Sequence, residues 1–195
     1  MKYQPPTEPV DIRVWQGDEE NPFYPEGQRE KLLLISPEKA CPDFCVPQHR
    51  YLFKESFHRY KDQFWAEVLA YKVGCLMNKS VPPAFVAFNS ETEVCGALIE
   101  WFYTSKSKYF SGGEVMTRMI PGFDREKGRQ HNFETVEVYS SALSKQGIIQ
   151  TDWLQYWAKT FVFDALIGNT DRHQDNWGWL THRRKNLLKL LEGKE

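Results

Sequence analysis

Gly168-Asn169-Thr170-Asp171-Arg172-His173-Gln174-Asp175-Asn176-Trp177-Gly178-Trp179 is the most polar and least ordinary stretch of the chain. It follows a run carrying Trp153, Leu154, Trp157, Phe161, Val162, Ala165 and Leu166, which is apolar nearly all round and reads as a central buried helix. Asp152 is placed to cap that helix, with Gln155 three residues on, and Gly168 is placed to end it in a left-handed conformation. After the polar stretch, Trp-Gly-Trp-Leu reads as an apolar strand. Polar groups between two rigid elements are held at fixed positions, and that is where reactive side chains are commonly found. Upstream, Phe133 to Lys145 predicts another helix, whereas Thr104 to Arg129, with Gly112-Gly113 and Pro121-Gly122, reads as a long irregular stretch.

The first half has a different texture. Val10 to Val14 alternates as a strand does, Gly27 to Lys31 is a polar turn, and Leu32 to Ile35 and Tyr51 to Lys54 are short strands on either side of a loop holding Pro37, Pro42 and Pro47. From Asp62 to Asn78, Trp65, Val68, Leu69, Lys72, Val73 and Leu76 recur at three-and-four spacing, predicting an amphipathic helix over 62–78 with Asp62 as its cap. Pro82-Pro83 stops it, and strands over Ala84–Phe88 and Val94–Phe102 follow, joined by the polar turn Asn89-Ser90-Glu91-Thr92. The fold class is therefore α+β: a β-rich part with one helix over 1–103, and a helical part over 104–195 that carries the polar loop, 168–178.

The 195 residues are 41% hydrophobic and 15% aromatic, with seven Trp and thirteen Phe, which excludes a disordered chain. Their formal charge of −1 gives no electrostatic reason to expect nucleic acid or an anionic membrane as partner. No uncharged run exceeds the one from Ser80 to Ser90, too short to span a bilayer, and no apolar run follows Met1-Lys2, so the reading is a soluble cytoplasmic protein. The four cysteines suit reduced thiols, with Cys75 and Cys95 in segments that read as core. Cys41-x3-Cys45-x3-His49 has a metal-like spacing but lacks an obvious fourth ligand, so it reads as loop rather than zinc site.

Within the polar loop the spacing carries chemistry. Asp171 and Asn176 are five residues apart, the separation at which a phosphoryl-transfer loop presents a carboxylate to an acceptor hydroxyl and an amide oxygen to a magnesium ion. Transfer needs both, because the acceptor proton requires a base while the metal neutralises charge on phosphate oxygens. Arg172 and His173 can either stabilise a transferring phosphate or brace the loop against neighbouring carboxylates. Asp175 reads as structural. Lys54 ends an apolar strand, where an ammonium group can reach phosphates, and Glu67 flanks the buried stripe of its helix, where it can point inward.

Asp171-Arg172-His173-Gln174-Asp175-Asn176 resembles the catalytic loop of the HipA-like serine/threonine kinases, and a similar signature occurs in phosphatidylinositol kinases. Gly27-Gln28-Arg29-Glu30-Lys31 with the following Leu-Leu-Leu-Ile is similar to the loop and strand that cover the nucleotide phosphates in that family. Tyr51 to Lys54 resembles its lysine-bearing strand, and Trp65-Ala66-Glu67 its paired helix carboxylate. The resemblance runs in order from Gly27 to Leu180. It implies a protein-kinase-like two-lobed fold, ATP and Mg²⁺ as cofactors, and a protein substrate with a Ser or Thr hydroxyl. It further implies that Asp171, Arg172 and His173 are catalytic, that Asn176 is a metal ligand, and that Gly27, Lys31, Lys54 and Glu67 bind nucleotide. Glu100-Trp101-Phe102 falls where kinases place the adenine-binding segment.

Departures from that pattern matter. The family's second metal ligand, an aspartate followed by glycine shortly after the loop, has no counterpart; the acids after Asn176 are Glu192 and Glu195. Glu192, placed before Gly193, is the substitute the sequence offers. The helices completing a kinase C-lobe are missing, so the chain reads as truncated there. The N-terminal subdomain that HipA uses beside its DNA-binding antitoxin is missing too, so no antitoxin partner carries over. Beside the kinase reading stand a pseudokinase or nucleotide-binding interaction module, favoured by the absent aspartate, and a lipid kinase, disfavoured by the lack of a basic membrane-facing patch.

Overall fold

The computed structural model describes residues 2–5, 8–18, 31–39, 41–56, 59–103, 107–149 and 151–181. The chain divides into two compact units, Met1–Phe102 and Tyr103–Glu195. Among the described residues no helix is long and apolar enough to cross a membrane.

The first unit is a six-stranded sheet built from β1 (Val10–Asp11), β2 (Gln16–Gly17), β3 (Lys31–Ile35), β4 (Arg50–Glu55), β5 (Ala84–Asn89) and β6 (Val94–Glu100), in the spatial order β1-β5-β6-β4-β3-β2. All neighbours are antiparallel except β1 and β5. Alternation along β4 decides which side chains meet. Tyr51 and Phe53 enter a core with Val10, Ile12, Trp15, Leu34, Phe85 and Leu98. Each fully buried ring or aliphatic chain there contributes roughly 1.5–3 kcal/mol. Tyr51 keeps its hydroxyl satisfied by accepting the Val46 N–H at 2.8 Å and donating to Glu100 Oε2 at 3.2 Å. On the opposite face, Ala97, Val86 and Ile99 pack with Phe64 and Val68, at the start of and within helix α1 (Trp65–Leu76).

The expected strand from Val10 to Val14 stops at Asp11. The Asp11 carboxylate accepts the Arg13 N–H at 3.0 Å and the Ser90 hydroxyl at 2.7 Å, so the chain bends there although Val10 and Ile12 still point inward. Helix α1 is also shorter than 62–78. Turns from Tyr60 to Gln63 and from Asp62 to Trp65 lead into it, and Asp62 does not cap it, because the position before the helix is Phe64, whose N–H goes to Ser56 Oγ. Its buried side is Val68, Tyr71 and Gly74 rather than the whole apolar stripe: Leu69 is 58% and Leu76 87% exposed. Cys95, expected in the core, is exposed beside the β5–β6 turn, and among the described residues no metal-binding group forms at Cys41, Cys45 and His49. The described cysteines are free thiols.

The second unit corrects the irregular reading of 104–129. It holds a strand, β7 (Lys108–Ser111), and a helix, α2 (Gly112–Met119), followed by α3 (Phe133–Lys145), α4 (Trp153–Ile167) and β8 (Gly178–Thr181). β7 pairs antiparallel with β8, some seventy positions along the chain, so Phe110 lies opposite Trp179 and Ser111 opposite Gly178. Ser111 caps α2 by accepting the Glu114 N–H, Asn132 caps α3 through Thr135, and Asp152 caps α4 through Gln155. Gly168 closes α4 at φ +67°, the left-handed cap expected of it. Trp157, Trp177, Met116 and Val136 form the core beneath. Contrary to expectation α4 is not buried all round: Trp157, Thr160, Phe163 and Asp164 face inward, while Leu154, Val162 and Leu166 are exposed.

Gly112 begins a helix because nothing larger fits. A Cβ there would lie 2.5 Å from the Trp177 ring and 2.8 Å from the Gln174 carbonyl. Gly112→Ala is therefore expected to destabilise the second unit by about 1–3 kcal/mol, lowering its thermal midpoint. Gly17→Ala, where a Cβ meets nothing within 4 Å, should leave the midpoint unchanged. Thermal unfolding followed by near-ultraviolet circular dichroism compares the two.

Candidate active site

Each unit holds its own set of polar groups. In the first, Lys54 Nζ stands 2.5 Å from Glu67 Oε1, linking β4 to the first turn of α1, where a carboxylate is also favoured by the helix dipole. Both side chains are about three-quarters buried. An ion pair of this kind contributes about 1 kcal/mol or less to stability, so its main consequence is where it holds the ammonium group. Lys31 lies directly across from Lys54 in the β3–β4 register, and Leu33 across from Leu52 two residues further along. Residues opposite one another share a face with Cβ atoms about 5 Å apart, so the two lysines share a face with an apolar pair roughly 7 Å along the strands. Glu67 supplies the counter-charge to Lys54 at this point.

The Glu100-Trp101-Phe102 segment is bonded within its own unit. The Glu100 carboxylate accepts Lys2 Nζ at 2.5 Å and the Tyr51 hydroxyl, so it is committed to holding the N-terminal segment against β6. The Glu100 N–H goes to the Pro83 carbonyl and the Trp101 N–H to the Arg50 carbonyl, while the Trp101 carbonyl receives His49 Nε2 at 2.9 Å. Both N–H groups are therefore engaged within the protein, and Phe102 presents a half-exposed ring. Gly27 lies outside the described residues, as does Glu192.

In the second unit the loop after α4 is tightly bonded. Asp171 has its N–H on Asn169 Oδ1 at 3.2 Å and its carboxylate in the open, 81% exposed, 3.8 Å from His173 Nε2. His173 Nδ1 accepts the Asp175 N–H at 3.2 Å, so the neutral ring carries its proton on Nε2, the nitrogen facing Asp171. The Asn176 side-chain amide donates to the Asp171 carbonyl, which leaves Oδ1 as its group for a cation. Arg172 is bonded to the helix below the loop and to the loop's own backbone. Its Nε and Nη2 bond Asp164 at 2.8 and 2.5 Å, its Nη1 bonds the Asn176 carbonyl at 3.0 Å, and the Asp164 carboxylate holds the guanidinium more firmly protonated than usual. Asp175 is held by Arg125 Nη2 at 2.8 Å and by Ser111 Oγ, and Gln174 bonds the Arg125 carbonyl.

The groups that sequence reading passed over are those that hold this loop: Asp164, Ser111 and Arg125. Asp164 had a signal, being a lone acid inside Phe161-Val-Phe-Asp-Ala-Leu-Ile, where a charge must find partners to be buried. Ser111 and Arg125 had none, because their contacts with Asp175 span 64 and 50 positions.

No known family's sequence profile matches the chain, and no curated protein matches it. Among solved structures it is similar to a Helicobacter pylori proinflammatory kinase, CtkA, with a TM-score of 0.65 and 19% identity over 90% of this chain and 56% of that one. The likeness establishes a kinase-like two-lobed fold. The chain thus spans little more than half the length of that neighbour.

His131 lies stacked beneath the loop, accepting Trp177 Nε1–H at 3.0 Å, and burial, with His173 nearby, holds its pKa below the ordinary 6.5. The unfolded chain therefore binds the proton more readily than the folded one, and this contribution, full above pH 6.5, is lost as the pH falls through the lower folded value. Stability should drop between pH 7 and pH 5, and His131→Gln should flatten that part of a denaturant-midpoint profile. An unaltered slope in the variant would place the titrating group elsewhere.

Proposed function

We propose that the chain is an ATP-dependent phosphotransferase of the HipA-like serine/threonine kinase type, acting on a protein hydroxyl. The observation that supports this reading most is the Lys54–Glu67 ion pair with Lys31 on the next strand, an anion-binding arrangement beside the apolar Leu33–Leu52 pair. Lys54 and Lys31 would hold nucleotide phosphates, Glu67 orients Lys54, and the two leucines offer an apolar bed for the base. Asn176 Oδ1 suits Mg²⁺, which takes few protein oxygens and fills its shell with phosphate oxygens and water. When bound, Mg²⁺ would neutralise charge on those oxygens. Asp171, open to solvent with its backbone fixed, would accept the proton of the attacking hydroxyl as its oxygen bonds to the γ-phosphorus and the bond to ADP breaks. His173 faces that carboxylate with an N–H donor.

A second reading, a nucleotide-binding module without transfer, needs only the Lys54–Glu67 pair of the first unit and no metal at Asn176. The two separate in one experiment: the chain is incubated with γ-labelled ATP, Mg²⁺ and a Ser/Thr-rich protein acceptor, while ATP binding is measured by calorimetry. The kinase reading expects transfer that falls by about 10²–10⁴-fold in Asp171→Asn with binding retained, and binding that is lost in Lys54→Met. Binding without transfer in the unaltered chain supports the module instead, and absence of binding overturns both.

A further inference from the structure

Asp164 stands where local rules disfavour it. It is a poor helix former in the last turn of α4, where the dipole is unfavourable to a negative charge, and it is buried. A residue that violates propensity, dipole and burial at once is kept by what it bonds. Its carboxylate accepts three side-chain N–H groups: Arg172 Nε on Oδ2, Arg172 Nη2 on Oδ1, and Asn169 Nδ2 on Oδ1 at 2.9 Å. Its carbonyl accepts the N–H groups of Gly168 and Asn169.

Two routes lead outward from that carboxylate. Through Asn169, whose Oδ1 receives the Asp171 N–H, it reaches the backbone of Asp171. Through Arg172, whose Nη1 grips the Asn176 carbonyl, it reaches the backbone of Asn176. The Asn176 side chain then closes the ring onto the Asp171 carbonyl. One buried carboxylate on a rigid helix is thus joined to both residues whose spacing gives the loop its chemistry.

We propose that Asp164 is the positioning residue of the loop, its charge fixing Asn169 and Arg172 so that Asp171 and Asn176 are presented together; the consequence for metal rests on the kinase reading above. Asn in its place keeps the shape, but it removes the charge that holds the guanidinium and turns amide hydrogens toward other donors. Glu restores the charge from a longer stem.

The test uses the full chain, unaltered and as Asp164→Asn, Asp164→Glu and Arg172→Gln. Hydrogen exchange by nuclear magnetic resonance reads the Asp171 N–H and the Asn176 side-chain amide, with helical amides of Trp157 and Phe163 as reference. In Asp164→Asn and Arg172→Gln the two loop signals should exchange about tenfold faster or more, the helical ones should not, and Asp164→Glu should recover part of the protection. Unchanged loop exchange, or acceleration spread equally over α4, would overturn the proposal. In parallel, the gain in ATP affinity on adding Mg²⁺ should fall about tenfold or more in Asp164→Asn, with metal-free affinity unchanged. If the exchange result holds but the unaltered chain shows no Mg²⁺-dependent gain, the positioning role stands and the kinase reading fails.

Discussion

The contact between Lys54 and Glu67 constrains the first unit more than its modest contribution to stability suggests. A lysine in the sheet beside a second lysine needs a counter-charge, and the nearest rigid element able to supply one is α1. Presenting Glu67 to β4 fixes the roll of that helix, so Phe64, Val68 and Tyr71 are turned inward with it while Leu69 and Leu76 are left outside. The apolar period of α1 admits more than one roll; the ion pair agrees with the one observed. The β3–β4 register puts Lys31 and Lys54 opposite one another on one face of the sheet.

The second unit solves a related problem with the opposite economy of charge. Its loop carries two aspartates, an arginine and a histidine, and a loop so charged is ordered only if its members are paired from beneath. Asp164 pairs Arg172, Arg125 pairs Asp175, and the His173 ring receives a backbone N–H, so Asp171 alone among the loop's charged groups extends mainly into solvent.

What was legible in the sequence follows from how local each signal is. The caps at Asp152 and Gly168, the extent of α3, and the strands β3 to β6 depend on neighbours within a few residues, and they stand close to where the pattern put them. β7 and α2 were missed because Lys108 to Ser111 becomes a strand only by pairing with Gly178 to Thr181, and because Gly112-Gly113, ordinarily a turn signal, is here dictated by the Trp177 ring and the Asp175 carboxylate pressing on the backbone. Charged side chains were legible as a set but not individually. Lys54 and Glu67 were paired by their order along the chain, whereas the bond of the Glu100 carboxylate to Lys2, 98 positions away, left no signal in the sequence. The partner of Arg172 was open to reading only as a lone acid in an apolar run, Asp164, with nothing local to say which cation it meets.

The central claim is that the lysines of β3 and β4 meet the phosphates of a nucleotide. An acyl-phosphate derivative of ATP tests it directly, since an amine lying against the phosphates attacks the acyl carbon and becomes acylated as ATP leaves. Peptide mapping by mass spectrometry should then find the label on Lys54 or Lys31, and excess ATP should suppress it. Labelling confined to other lysines, or labelling of these two that ATP does not diminish, would contradict the account.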